Sequence, residues 1–216
     1  MLCYSASLRN KKEYKDLYLP GRKPIFIEVP EMHFFIVNGQ GEPGGAQYQA
    51  ARQALYALSF TIKMSKMGGK QPEGYFEYVV PPLEGLLSFP NGTFDLNCLN
   101  CPRKEWLWTS MIRRPEFVTE EVFRWAVAEC RSKNPGVDVS GARFETLREG
   151  LCVQIMHVGP YSEEPASLEK MHTFLRENGC SLLNDETHRH HEIYLSDPRR
   201  TAPERLKTVL RLPVTK

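Results

Sequence analysis

The chain alternates between two hydrophobic periods. Residues 47–66 place Tyr48, Ala51, Leu55, Leu58 and Ile62 three and four apart, one apolar stripe that predicts an amphipathic helix ended by Gly68-Gly69. Residues 119–133 predict a second helix: Thr119 can cap it, Glu120 and Glu121 suit its positive end, and Val118 can pack on Phe123. Residues 165–177 predict a third, with Leu168, Met171 and Leu175 on one side and Gly179 past its end. Shorter apolar runs predict strands over 25–29, 33–38, 75–80, 83–89, 106–112, 144–147, 151–158, 190–195 and 206–212. Pro30, Pro81-Pro82 and Pro90-Asn91-Gly92 separate neighbouring strands. Residues 1–23 predict a short leader helix with one apolar edge, stopped by Pro20.

One strand departs from a simple core pattern. In HRHHEIYLSD (188–197), Ile193 and Leu195 share the apolar face with Arg189 and His191. His188, His190, Glu192 and Tyr194 fall on the other face. A carboxylate in such a strand must be solvated, paired or held for chemistry. The sequence leaves three readings of Glu192 open: an ordinary partner of Arg189 or His190, a general acid or base stripped of water in an aromatic groove, or an anion that holds a cationic ligand.

The element order repeats. A strand ending in glycine, a helix and two further strands occur as 33–39, 47–66, 75–80 and 83–89, and again as 153–159, 165–177, 190–195 and 206–212. The expected fold class is α+β: one domain over 1–216, with two pseudo-twofold-related strand-helix-strand-strand modules of antiparallel sheet around a central ligand cleft. The first module is expected at 24–92, a connecting strand and helix at 93–142, and the second module at 143–216. Each helix should cover one sheet face, leaving the opposite faces to form the groove. Glu77 and Glu192 would then occupy matching strands.

Composition narrows the classes. The 216 residues are 41% hydrophobic and 25% charged, ordinary for a globular protein, with a formal net charge of +2. No basic stripe suggests nucleic acid, and no apolar run approaches a membrane span. A cytoplasmic location is expected, as monomer or homodimer. The cysteines at 3, 98, 101, 130, 152 and 180 are scattered. Cys98 and Cys101 have ligand spacing but lack a second pair, which argues against a zinc site; no metal and no cofactor are expected. The turn at 39–45 lacks the Lys-Ser/Thr of a phosphate loop.

Seven stretches carry a resemblance: KKEYKDLYLPGRKP, VPEMHFFIVNGQGEP, VVPPLEGLL, WLWTSMIRRPEFVTEE, EGLCVQIMHVGPYSEEP, HHEIYLSDPRR and LKTVLRLPV. In order and over almost the whole chain, they resemble the GyrI-like small-molecule-binding domain family. The resemblance implies two modules around a cleft for amphipathic or cationic drug-like molecules. In relatives fused to a DNA-binding head this domain is the drug sensor; no helix-turn-helix is read here. The resemblance also implies an enzymatic branch that opens the activated cyclopropane ring of DNA-alkylating natural products with water. The family's pocket glutamate falls on Glu192.

The expected catalytic group is therefore Glu192, with Tyr194 and Tyr161 as hydroxyls able to meet developing charge. Trp108, Trp106, Glu77, Tyr78, Phe34, Phe89, Met156 and His157 are the candidate ligand contacts, and only one of Met156 and His157 can face the groove. Alternatives are a non-catalytic sensor or sequestering protein, and a metal-dependent enzyme using His188 and His190 with Glu192 and His157.

Overall fold

Strands β3 (Leu83–Ser88) and β8 (His190–Tyr194) run side by side at the middle of one antiparallel sheet, with three further strands of its main path on each side. A computed structural model describes residues 14–89, 102–183 and 189–215. Helices α1 (Lys15–Tyr18), α2 (Ala46–Lys63), α3 (Glu120–Lys133) and α4 (Glu164–Glu177) accompany strands β1 (Ile25–Val29), β2 (Met32–Gln40), β3, β4 (Leu107–Arg113), β5 (Arg143–Leu147), β6 (Gly150–Val158), β7 (Ser181–Leu182), β8 and β9 (Lys207–Thr215). The sheet order is β1-β6-β9-β8-β3-β4-β2-β5, with the short β7 paired to β9. This mixed helix and antiparallel sheet is an α+β fold.

The ladder registers define a pseudo-twofold axis between β3 and β8. One unit is β2-α2-β3-β4 and its counterpart is β6-α4-β8-β9, with matching pairings of β2 with β4 and of β6 with β9. The edge strands are exchanged: β1 pairs with β6 of the second unit, and β5 with β2 of the first. The repeat drawn from the sequence is therefore displaced by one strand in its first half. Residues 75–80 form no ladder; Tyr75, Phe76 and Tyr78 instead pack around Phe117 at ring separations of 5.3, 5.3 and 5.9 Å. Side-chain alternation there reports packing on a helix end, and Pro81-Pro82 supplies no amide to continue a strand. The fourth strand of the first unit is β4, inside the stretch expected to be a connection. Superposing the two registers makes Gly85 the counterpart of Glu192, and Glu84 that of His191.

Both long helices of the repeat cover the same sheet face. Leu55, Leu58 and Ile62 of α2 pack on Phe35, Leu83, Trp108 and Ile112, while Leu168, Met171 and Leu175 of α4 pack on Val153, Ile155 and Leu210. Helix α3 lies against α2, its first turn capped by Thr119, whose hydroxyl accepts from the Val122 amide (3.3 Å). The other face packs Phe34, Ile36, Met111, Met156, Ile193 and Val209 beneath Leu17 and Tyr18. The groove therefore opens between α2 and α4 on the helix-bearing face, not on the opposite face. Across a sheet, side chains on opposite faces cannot share one groove. Phe34 and Met156 consequently belong to the far core.

Among the described residues no helix is long and apolar enough to cross a membrane, and no three His, Cys, Asp or Glu side chains are grouped to hold a metal ion. Cys3, Cys98, Cys101 and His188 lie outside the described residues.

Candidate ligand cleft

A cleft of about 740 Å³ opens between α2 and the start of α4, with β3 and β8 as its floor. The floor is built by alternation. Leu83, Gly85 and Leu87 of β3 and His190, Glu192 and Tyr194 of β8 point the same way, because both strands run in register across the axis. The two halves differ in chemistry: β3 contributes leucines and a glycine, whereas β8 contributes an imidazole, a carboxylate and a phenol. A ligand spanning the floor meets one apolar half and one polar half.

Glu192 is buried, with 7% of its surface exposed, yet it lines the cleft. His190 Nε2 donates to its Oε1 at 3.0 Å. Tyr194 lies across Gly85, where an added Cβ would stand 3.2 Å from the tyrosine hydroxyl. Glycine at this point of β3 leaves the space that Tyr194 fills. Burial, and then the charge of Glu192 and the neighbouring Tyr48, hold the Tyr194 phenol well above its ordinary pKa. Burial likewise raises Tyr48, and pushes Tyr161 up to about 12 with help from the charges of Glu164 and Glu192. These phenols are therefore neutral donors at physiological pH. The Tyr161 and Tyr194 rings meet edge to face at 6.1 Å.

The walls come from both units. Tyr48, at the head of the core stripe, and Arg52, Tyr56 and Phe60, on the flank beside it, follow one another at i+4 along α2. Glu164 and Leu168 of α4 and Tyr161 of the preceding turn form the facing wall. Trp106 lines the cleft, with Phe89 behind it at 5.6 Å in a perpendicular contact. Arg199, bound to Asp197 at 2.8 Å, stands with Lys63 at the mouth.

Of the residues expected from sequence, the cleft thus brings together Glu192, Tyr194, Tyr161 and Trp106. Trp108 faces the same side but is packed beneath the floor's edge against Gly39 and Tyr48, and Tyr78 is buried with its hydroxyl donating to the Ser59 carbonyl (3.2 Å). Phe89 supports Trp106 from behind. Glu77 is a correction: half exposed and paired with Lys66, it stands outside the cleft because residues 75–80 do not join the sheet. His157, not Met156, turns to the helix side, where its ring bonds Ser167 Oγ (2.9 Å) and the Pro160 carbonyl (3.2 Å). Sequence reasoning missed Tyr48, Arg52, Tyr56, Phe60 and Glu164. The i+4 row 48-52-56-60 was a readable signal for the first four; Glu164 depended on where α4 begins.

Comparison with known proteins fits this geometry. Residues 108–215 match the model of the GyrI-like small molecule binding domain. The chain belongs to the GyrI-like family. Within solved structures, a conserved protein from Listeria innocua is 52% identical (TM-score 0.89), and a hydrolase from Listeria innocua is 49% identical (TM-score 0.86). Each comparison covers 95% of this chain and 98% of that one. The C-terminal domain of EcmrR, 12% identical over 90% of this chain and 98% of its own (TM-score 0.51), shares the fold alone. No curated protein matches the chain. The family match is to a small-molecule-binding domain, and the cleft lies between the two units with β3 and β8 as its floor.

Proposed function

We propose that the cleft binds flat, amphipathic aromatic molecules and hydrolyses an activated cyclopropane ring fused to a dienone, as in cyclopropanoid genotoxins. The observation that carries this reading is the buried Glu192 carboxylate at the polar half of an aromatic cleft, beside protonated phenols. The close likeness to a Listeria hydrolase supports a reaction rather than capture alone.

The aromatic body would lie over Leu83 and Leu87 between Tyr56, Phe60 and Trp106, where burial of apolar area drives binding. That position brings the strained ring toward β8. Glu192 accepts a proton from a water molecule as its oxygen attacks the cyclopropane methylene. A C–O bond forms and the strained C–C bond breaks. The electron pair of that bond enters the dienone, which becomes a phenolate. Tyr194 or Tyr161, kept protonated by burial, donates a hydrogen bond to the oxygen where charge accumulates. The proton on Glu192 then returns through solvent to the phenolate, leaving an alcohol and a phenol. Aromatisation supplies driving force, so orientation and one general base account for catalysis.

A second reading is favoured by one feature, the anionic end of the cleft. Glu192 and Glu164 there would hold a planar cation without turnover, as in a sensor or sequestering protein. Single-turnover kinetics separate the two. With a cyclopropanoid in contact with wild-type protein, Trp106 fluorescence reports binding and loss of the dienone chromophore reports opening. For Glu192→Gln we expect binding within about threefold of wild type and opening slowed roughly 100-fold or more, the scale of a lost general base. Binding without opening in the wild type leaves the non-catalytic reading.

A further inference from the structure

The chemistry proposed for the cleft uses one face of β8. The opposite face carries a buried ionic network that the reaction leaves unused. His191, with no exposed surface, places Nε2 2.9 Å from Glu84 Oε2 and Nδ1 3.0 Å from both oxygens of Glu149. Arg211, equally buried, donates to Glu149 Oε2 (2.9 Å) and to Gln154 Oε1 (3.2 Å). Glu84, His191 and Arg211 are removed from water, Glu149 keeps 13% of its side chain exposed, and each of the four is met by others in the set.

Two features give this network a position that anchoring alone does not require. First, it sits on the seam between the units. Glu84 and His191 occupy equivalent positions in β3 and β8, so their bond crosses the pseudo-twofold axis. An acid in one unit meets a base in the other, where two copies of one residue would repel or leave a polar group unmatched. Glu84 precedes Gly85, the ladder partner of Glu192, and His191 precedes Glu192 itself. Second, the segment at α1 is bound to the network and not merely laid over it. Tyr18 OH donates to Glu84 Oε1 (2.8 Å), Arg211 Nη2 donates to the Leu17 carbonyl (2.8 Å), and Gln154 Nε2 donates to the Asp16 carbonyl (2.6 Å). The Arg113 guanidinium stacks on the Tyr14 ring at 3.6 Å.

A buried ion network is a poor source of stability compared with apolar packing of the same volume. When every member is satisfied, it fixes one geometry sharply. We propose that Tyr18, Glu84 and His191 are positioning residues: the α1 segment latches the β3–β8 seam from behind, and so fixes where Glu192 and Tyr194 stand in the cleft. Its consequence for turnover rests on the reading of Glu192 given above; its consequence for the seam does not.

The test uses the full chain. Hydrogen–deuterium exchange is measured peptide by peptide for wild type, Tyr18→Phe and His191→Gln, together with single-turnover opening of a cyclopropanoid. Tyr18→Phe removes one hydroxyl and keeps the ring, so it folds even if His191→Gln does not. We expect amides of β3 and β8 to exchange about tenfold faster in Tyr18→Phe while those of α3 and β5 keep their wild-type rates. We expect the opening rate constant to fall about three- to tenfold with binding unchanged, as for a displaced base. His191→Gln, which retains one donor, should lose less than His191→Leu. Unchanged exchange in β3 and β8, or faster exchange spread evenly over the fold, overturns the proposal. A wild type that opens no ring overturns the hydrolase reading instead, and the exchange pattern still decides whether the seam is latched.

Discussion

Glycines set two close approaches in and beside the cleft's floor. At Gly39 in β2, a Cβ would overlap the indole of Trp108, which leans across the backbone to meet Tyr48 at 5.1 Å. Gly39→Ala should therefore destabilise the fold by about 1–3 kcal/mol, an overpacking cost, measurable as a lower urea midpoint. Trp108→Leu in the same chain should recover part of the loss; equal stability of wild type and Gly39→Ala would show that the indole yields freely. Gly85 plays the corresponding part for Tyr194 on the floor. At this scale much of the polar chemistry was readable: period-two alternation alone put His190, Glu192 and Tyr194 on one face. The aromatics were not sorted by it. Phe34, Trp108 and Tyr78 are as apolar as Trp106, and only the three-dimensional placement of the strands distinguishes a wall from core.

The helices show the same division between local and non-local information. Helix α3 carries its own start signal in Thr119, Glu120 and Glu121, and the structure starts it there. Thr119→Ala should cost about 0.5–2 kcal/mol, seen as a lower thermal midpoint, because the Val122 amide loses its acceptor; no change would mean water replaces the cap. Helix α2 was legible in extent but only half legible in role. Its stripe of Ala51, Leu55, Leu58 and Ile62 announces the core, while the adjacent row of Tyr48, Arg52, Tyr56 and Phe60 serves the cleft. Residues 75–80 mark the limit of pattern reading. Their alternation matched a strand, yet a strand needs a ladder partner, and that partner is specified far away in sequence.

For the molecule as a whole, symmetry explains both what the repeat revealed and what it misplaced. Order of elements is visible in sequence, but the exchange of β1 and β5 between units is a long-range pairing with no local mark. That exchange ties the two units together and leaves β3 and β8 as the seam on which the cleft stands. The network behind the seam gives stability a pH window. Although burial opposes it, the charges of His191 and Arg211 hold Glu149 at about 2, below its ordinary 4.5; that contribution is present above about 4.5 and is lost as pH falls toward 2. Burial opposes the charged form of His191 too, but Glu149 and Glu84 raise it to about 9 from 6.5; that contribution is full below about 6.5 and is lost as pH rises through 9. The thermal midpoint should therefore be highest between about 4.5 and 6.5 and fall on both sides, and His191→Gln should flatten the alkaline limb. A midpoint that stays level from 5 to 9.5 would contradict the charged assignment of His191.

If Glu192 is the base that makes the cleft hydrolytic, as proposed above, removing its carboxylate slows the entry of water oxygen into the product. Wild-type protein and Glu192→Gln are incubated with a cyclopropanoid in ¹⁸O-labelled water, and the product is weighed by mass spectrometry. We expect a ring-opened product carrying one labelled oxygen with wild type, formed roughly 100-fold or more slowly with Glu192→Gln. Recovery of intact cyclopropanoid from wild type, or labelled product formed equally fast with both proteins, would overturn the hydrolytic role of Glu192.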